Sequence, residues 1–185
     1  MPVRTAADRG REVRLQLLNA AAELIAELGW NAVSTRNLAE RAGVTPGLVH
    51  YHFPSLQALL CDAALGMISD SLSATEVIVE DAATVDAGID LMLSRTGRGS
   101  TSLLFIETSL AATRDESLRI ELAALIEEFR QKLARWLSEH GARVPEETAS
   151  VLVAALDGVI VHKALNPELT SSVVAPALHR LVEYD

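Results

Sequence analysis

The sequence predicts an all-α chain of about nine helices, and three observations predict it. Apolar residues recur at three- and four-residue steps along nearly the whole length. Strict two-residue alternation, the mark of a half-buried strand, is almost absent. Glycines and hydroxyl-bearing residues stand where such helices would stop and start.

The elements follow in order. Val13, Leu17, Ala20, Leu24 and Leu28 form one apolar stripe, which Gly29 ends. Ser34 caps a short second helix running through Arg41 and closed by Gly43. Thr45 caps a third, with Pro46 at its first position, where the missing N–H costs nothing. Ser55 opens a fourth that reaches about Val79. Further helices are expected near 84–94, 101–113, 116–140, 146–164 and 170–183, with a loop at Arg95–Ser100. The clearest is 116–140, whose stripe is Leu118, Leu122, Leu125, Phe129, Leu133 and Trp136, ended by Gly141.

Composition narrows the class. With 185 residues, 49 % of them hydrophobic, a small head on a larger body is affordable and disorder is not expected. Aromatics are only 4 %, so the core is aliphatic. The single Cys61 excludes an internal disulfide and a multi-cysteine metal site; it reads as a small buried residue, with a redox role as the alternative. No apolar leader is visible at the N-terminus. The most apolar run, Thr148–His162, is interrupted by Asp157 and is shorter than the ~20 residues a bilayer span needs. A cytoplasmic protein with no membrane contact is therefore expected. No Gly-rich phosphate loop, nucleophile elbow or HExxH pattern occurs, so neither an enzyme nor a cofactor is expected.

The formal charge of −9 argues against a nucleic-acid partner until its distribution is read. Residues 1–60 hold six arginines and five acids; the remainder holds ten basic and twenty acidic side chains. An acidic body repels DNA and leaves the head as the permissible contact. Three short helices with tight glycine-marked turns within Arg11–Phe53 are what a helix-turn-helix requires, the third entering the major groove. Ala39 suits close helix packing, Gly43 the turn, and Val44 pins the third helix to the second.

The stretch Val33–Leu60, VSTRNLAERAGVTPGLVHYHFPSLQALL, resembles the TetR family signature, T-x-x-x-I-A-x-x-A-G-V-S-x-G-x-x-Y-x-H-F-x-x-K-x-x-L. Leu38, Ala39, Ala42, Gly43, Val44, Thr45, Gly47, Tyr51, His52, Phe53 and Leu59 sit at or beside the expected residues. The preceding AAAELIAELGW (Ala20–Trp30) resembles the family's first helix. Two positions depart from it. His50 replaces the usual phosphate-touching Tyr, though a ring N–H can serve, more strongly when protonated. Leu56 replaces a common Lys, leaving the backbone N–H groups of the fourth helix for that contact.

The resemblance implies a DNA-binding head, residues 1–53, and a ligand-binding and dimerisation body, residues 54–185. The partners implied are a double-stranded operator, a small-molecule effector and a second copy of the chain. The alternative is a helical dimer that binds only protein partners. The DNA-facing set is Arg36, Thr45, Pro46, Gly47, Leu48, His50, Tyr51 and His52. Thr45 and the histidines would meet phosphates, Arg36 a phosphate or guanine edge, and the apolar residues thymine methyls. Arg4, Arg9, Arg11 and Arg14 form either an arm against DNA or a solvated tail. A metal at His50 and His52 is disfavoured, because residues two apart on a helix point away from each other.

Dimerisation has independent support. Ala149, Leu152, Val153, Leu156, Val159 and Ile160 leave the penultimate helix apolar on more than one face, so it needs a partner beyond its own core. The expected seam is Leu152, Leu156, Val159 and Ile160 with Val174, Leu178 and Leu181 of the last helix; His162 and Lys163 are expected at its rim. Met67, Met92 and Phe105 suggest an apolar or amphipathic effector whose polar end Glu107 and Arg114 fix. The shortage of aromatics speaks against a cage for a cation. Effector binding would tilt the fourth helix and move the recognition helices off the ~34 Å spacing of successive major grooves.

Overall fold

The structure, a computed structural model, describes residues 6–97, 99–166 and 168–182. Arg4 lies outside the described residues, as does Arg98 in the expected loop. Nine α-helices are present among the described residues, and no strand. They are α1 (Ala6–Leu28), α2 (Thr35–Ala42), α3 (Pro46–His52), α4 (Leu56–Glu80), α5 (Val85–Arg95), α6 (Ser100–Ala112), α7 (Glu116–Glu139), α8 (Pro145–Leu165) and α9 (Ser171–His179). A single 3-10 turn, Trp30–Ala32, joins α1 to α2.

The punctuation follows the expected chemistry. Ser34 and Asn37 form a reciprocal capping box at α2, and the Ser55 hydroxyl accepts from the Ala58 N–H at α4. Gly29 and Gly43 adopt φ of 86° and 67°, the left-handed region that favours glycine. The last helix is shorter than expected: α9 ends at His179, with Pro176 inside it and Val182 folding back as a buried turn residue. Helix α1 also begins earlier, at Ala6, so Arg9, Arg11 and Arg14 are helical rather than parts of a loose arm. Its stripe is rotated toward Ala21 and Ile25, which are fully buried, and Leu28 is exposed.

Two apolar clusters fill the interior. One joins α1, α2, α3, the first half of α4, α6 and the start of α7, around Leu17, Ile25, Leu38, Val49, Leu59 and Leu104. The other joins the end of α4 with α5, α7, α8 and α9, around Ile89, Leu93, Phe129, Leu137 and Leu152. Leu72 of α4 and Ile126 of α7 pack against both. At 25 residues, about 37 Å, α4 is long enough to serve both clusters.

Helix α8 has 21 residues and a mean hydropathy of 1.5, enough by length and composition to cross a membrane. The helix extends beyond Thr148–His162 at both ends, to Pro145 and Leu165, so its length alone does not exclude a span. One face of α8, Ala149, Leu152, Val153, Leu156 and Val159, packs inside the chain, while about two thirds of the apolar stretch is not buried there. Packing is tight where α5 meets α7. A Cβ built on Gly88 would lie 2.5 Å from Cη2 of the buried Trp136 indole. Gly88→Ala is expected to lower stability by about 1–3 kcal/mol, since a rigid ring must move; denaturant unfolding of the two proteins measures it.

Candidate nucleic-acid interface and internal cavity

Helices α2 and α3 are joined by Gly43, Val44 and Thr45. The Val44 N–H donates to the Ala39 carbonyl at 2.9 Å, which fixes the angle between them. Val49 and Phe53 anchor α3 in the core. That leaves Pro46, Gly47, Leu48, His50 and Tyr51 on one solvent-facing surface, Tyr51 being 81 % exposed. The Thr45 hydroxyl makes no capping bond to α3. Arg36 of α2 is exposed and makes no ion pair among the described residues. His52 is half-buried, its ring edge-on to Tyr51 and 3.9 Å from the place a Cβ on Gly10 of α1 would take. It is the least exposed of the predicted DNA-facing set.

Most other head arginines are committed. Arg41 bonds Glu27 at 2.6 Å and Glu23 at 3.2 Å, and that pairing holds the Glu27 carboxyl below the usual carboxylate range. Arg14 bonds Asp62 of α4 at 2.7 Å and lies over the Phe53 ring, clamping α1 to the body. Arg11 pairs with Asp8. Neither reading of the arginine run fits Arg14, which is a structural clamp.

The head meets the body through hydrogen bonds to the α1–α2 turn. Glu107 of α6 accepts from the Trp30 backbone N–H at 3.0 Å. The Trp30 indole N–H reaches Gln57 Oε1 at 3.4 Å, and Gln57 donates to Asp115 Oδ2 at 2.9 Å. Asp115 also caps α7 through Leu118. Glu107 and Arg114 therefore line a surface cleft beside Trp30 and Gln57. Met67 lies elsewhere again, beside Asn19 and Ala22 of α1.

The body holds a largely apolar cavity of about 110 Å3, open on one side, among α4, α5, α6, α7 and α8. Met92 and Phe105 line it, with Leu72, Ile126, Phe129 and Leu156. The predicted ligand set thus separates into three places, and only Met92 and Phe105 share the cavity. Helix phase explains the split for Glu107: two residues from Phe105, it points to the opposite side of α6. Two of the three phenylalanines of the chain border this cavity, a concentration the overall aromatic count hides. Asp157 borders it too. Burial pushes its carboxyl up to about 6, against the opposing pull of Arg130. In the sequence Asp157 is the one charged side chain inside the apolar run Thr148–His162, and that position is the signal of a buried carboxylate.

The predicted dimer seam is largely internal. Leu152, Leu156, Val159 and Leu178 are buried within the chain, Ile160 and Val174 are half-buried, and Leu181 is exposed. The larger side chains of α8 went inward. The outward stripe is Val151, Ala154, Ala155, Gly158, Val161 and Leu165, continued on α9 by Val173, Pro176 and Ala177. Lys163 is not at a rim: its ammonium donates to Thr96 Oγ1 at 3.0 Å and Ser171 Oγ at 2.9 Å, closing the end of α5.

Comparison with known proteins decides the family. Residues 17–63 match the family model of bacterial regulatory proteins, tetR family. Residues 79–184 match that of the tetracyclin repressor-like C-terminal domain. The chain belongs to the TetR family. An HTH-type transcriptional regulator of Mycobacterium tuberculosis is 29 % identical over 177 residues, 89 % of each chain. The HTH-type transcriptional repressor KstR2 of Rhodococcus jostii is 32 % identical over 99 residues, 54 % of this chain and 46 % of that one. The crystal structure of the multidrug binding protein EbrR complexed with imidazole superposes with a TM-score of 0.73 at 25 % identity, over 100 % of this chain and 99 % of that one. This TetR family member is a DNA-binding transcriptional regulator and not an enzyme.

Half-buried Cys61 has its thiol pushed up to about 11 by burial and by Asp115, Glu121 and Asp62, so it stays protonated near neutrality and is a poor nucleophile. Asp157 yields a pH prediction. Its carboxyl titrates higher folded than in the unfolded chain, so the folded state holds the extra proton between about pH 4 and 6. Stability is then lost as pH rises through that window. Asp157→Asn is expected to raise stability by roughly 1–3 kcal/mol at pH 7.5 and to leave it unchanged at pH 4. Thermal melts at both pH values check this.

Proposed function

We propose that this regulator is a repressor that grips a palindromic operator as a homodimer and releases it when a small molecule enters the cavity of the body. The observation that carries this reading is the position of the cavity. It lies at the seam of the two apolar clusters, bordered by Leu72 and Ile126, the residues that pack against both. An occupant there changes how the body packs against the elements that hold the head.

Two elements link the cavity to the head. Helix α4 carries Leu72 at the cavity and Leu59 and Leu60 in the head's core. Helix α6 carries Phe105 at the cavity and, on its opposite side, Glu107 bonded to the Trp30 backbone. A shift of either reorients the α2–α3 pair relative to its counterpart in the dimer. The effector acts by binding the released state better than the gripping one. The relative named a repressor supports the sign of regulation, and the relative named a multidrug binding protein supports a small-molecule effector. A regulator of transcription in a bacterium works in the cytoplasm, where the DNA is.

The DNA-facing residues are proposed to be Arg36, Thr45, Pro46, Gly47, Leu48, His50 and Tyr51, with His52 supporting Tyr51 from behind. Thr45, with no capping bond to α3, and Arg36, with no carboxylate partner among the described residues, are available to phosphates. The dimer seam is proposed to be the outward stripe of α8 and α9. Its small residues allow close helix approach and its apolar area is costly to leave in water.

Two measurements test this reading. Binding to a palindromic fragment from the chain's own promoter region is expected to weaken linearly in log–log terms with salt. Arg36→Ala should weaken it about tenfold and make the dimer's salt slope shallower by about 2. A salt-insensitive or sequence-indifferent result would favour a protein-interaction dimer. In light scattering, Val161→Glu should convert the dimer to a monomer of 19.9 kDa with unchanged helical content, because Val161 is on the outer face. Val159→Glu should instead unfold the chain, since Val159 lies in its core.

A further inference from the structure

The cavity is apolar with one exposed cation at its edge and one carboxylate in its wall. The Thr75 hydroxyl donates to the Ser71 carbonyl at 2.8 Å, and the Thr96 hydroxyl to the Leu93 carbonyl at 2.7 Å, so both donor hydrogens are occupied. Asp157 is different. It takes no hydrogen bond and no ion pair among the described residues. The nearest counter-charge, Arg130 of α7, offsets the carboxylate only in part and keeps its own Nε buried without a hydrogen-bond partner among the described residues. Arg130 of α7 bonds Glu127 at 3.2 Å, Lys163 of α8 is turned into the end of α5, and Arg95 of α5 is exposed to solvent. Helices α4 and α6 bring only Ser71, Leu72, Thr75 and Phe105 to the cavity, none of them charged.

A carboxylate mostly withdrawn from water, with no hydrogen bond and only partly offset by Arg130, is costly to the fold, and the cost falls with whatever brings it a closer counter-charge. Phe105 and Phe129 border the same space, and the faces of aromatic rings attract cations. We infer that the effector is a small organic cation, an apolar body of a few carbons whose ammonium or amidinium end faces Asp157. This deepens the reading of the cavity as the effector's seat and rests on it. An anion would meet the carboxylate's repulsion. A neutral molecule would leave the carboxylate buried and unpaired. The charge-assisted bond is roughly twice as strong as its neutral counterpart, so the preference is large enough to measure.

Size sets the probes. A closed cavity of about 150 Å3 holds a benzene ring, and this one, about 110 Å3 but open on one side, takes a small alicyclic ring of about benzene's size with its polar end at the opening or at Asp157. Cyclopentylamine, cyclopentanol and cyclopentanecarboxylate share a body and differ in charge. At pH 7.5, calorimetric or NMR titration of the full chain should find the amine at least tenfold tighter than the alcohol, and the carboxylate weakest. Asp157→Asn should bring the amine down to the level of the alcohol while leaving the alcohol unchanged. At pH 5, where Asp157 is largely protonated, the wild type's preference should shrink. Release of a labelled promoter fragment, followed by anisotropy, should rank the probes in the same order. Val153→Trp, which fills the cavity, should abolish binding of amine and alcohol alike. Equal binding of amine and alcohol to the wild type, or a preference that survives in Asp157→Asn, overturns the cation assignment and leaves the cavity as a ligand site. Binding of neither, or binding that survives Val153→Trp, overturns the cavity reading itself and the cation assignment with it.

Discussion

The structure depends on one shortage: a head with two such short helices, α2 and α3, cannot complete a core by itself. The head's second and third helices have only eight and seven residues. Each presents one or two large apolar side chains inward, Leu38 from α2 and Val49 from α3. The cluster that holds them is completed by Leu59, Leu60 and Ile68 of α4, Leu104 of α6 and Leu118 and Leu122 of α7. The head is therefore built partly from the body, and a boundary at residue 53 cuts through a single apolar cluster. Because the orientation of α2 and α3 is held by body helices, anything that moves those helices moves the DNA-facing surface. Regulation at a distance is a consequence of the head's size before any ligand is considered.

Acidic side chains, those of the head's own α1 as well as Asp62 of the body, have a second consequence within the head. Glu23 and Glu27 neutralise Arg41, and Asp62 neutralises Arg14. These pairs are exposed, and each contributes little to stability alone. Their larger effect is to decide which cations remain for a polyanion. Arg36 remains, on the helix beside the recognition helix. A head with so few uncommitted charges leans on hydroxyls, backbone groups and shape, which suits the exposed Pro46-Gly47-Leu48 surface of α3.

The parts of this architecture that were legible in the sequence are those set by local chemistry. The capping serines, the left-handed glycines and the stripe of α7 each rest on neighbours a few residues apart, and each was placed within a residue or two. What was not legible depends on three dimensions. Helix α8 is apolar on two faces, and nothing local says which face turns inward; Leu152, Leu156 and Val159 did, leaving Val151, Val161 and Leu165 outside. The aromatic percentage spoke against an aromatic site because a percentage carries no positions, yet folding brings Phe105 and Phe129 to one cavity. The arginine run read as an arm or a tail because its partners, Asp62 above all, lie far away in the chain.

The same helix geometry that separates Phe105 from Glu107 suggests how coupling works. Phe105 and Glu107 are two residues apart, so one faces the cavity and the other the head. Helix α6 is a partition one helix thick, with the proposed effector on one side and the α1–α2 turn on the other. The bond it offers the head is a carboxylate accepting from the Trp30 N–H, a charged hydrogen bond of about 1.5–3 kcal/mol. Allosteric coupling energies are typically about 1–3 kcal/mol, so the making or loss of this one bond is of the right size to account for a regulatory response. Gly29 keeps the geometry possible. Its φ of 86° lets the chain turn sharply, and a Cβ there would stand 3.3 Å from the Glu107 carboxylate. A bulkier residue would strain the turn and crowd the acceptor together, so the first helix must end in glycine for a reason that lies in α6 as much as in the turn itself.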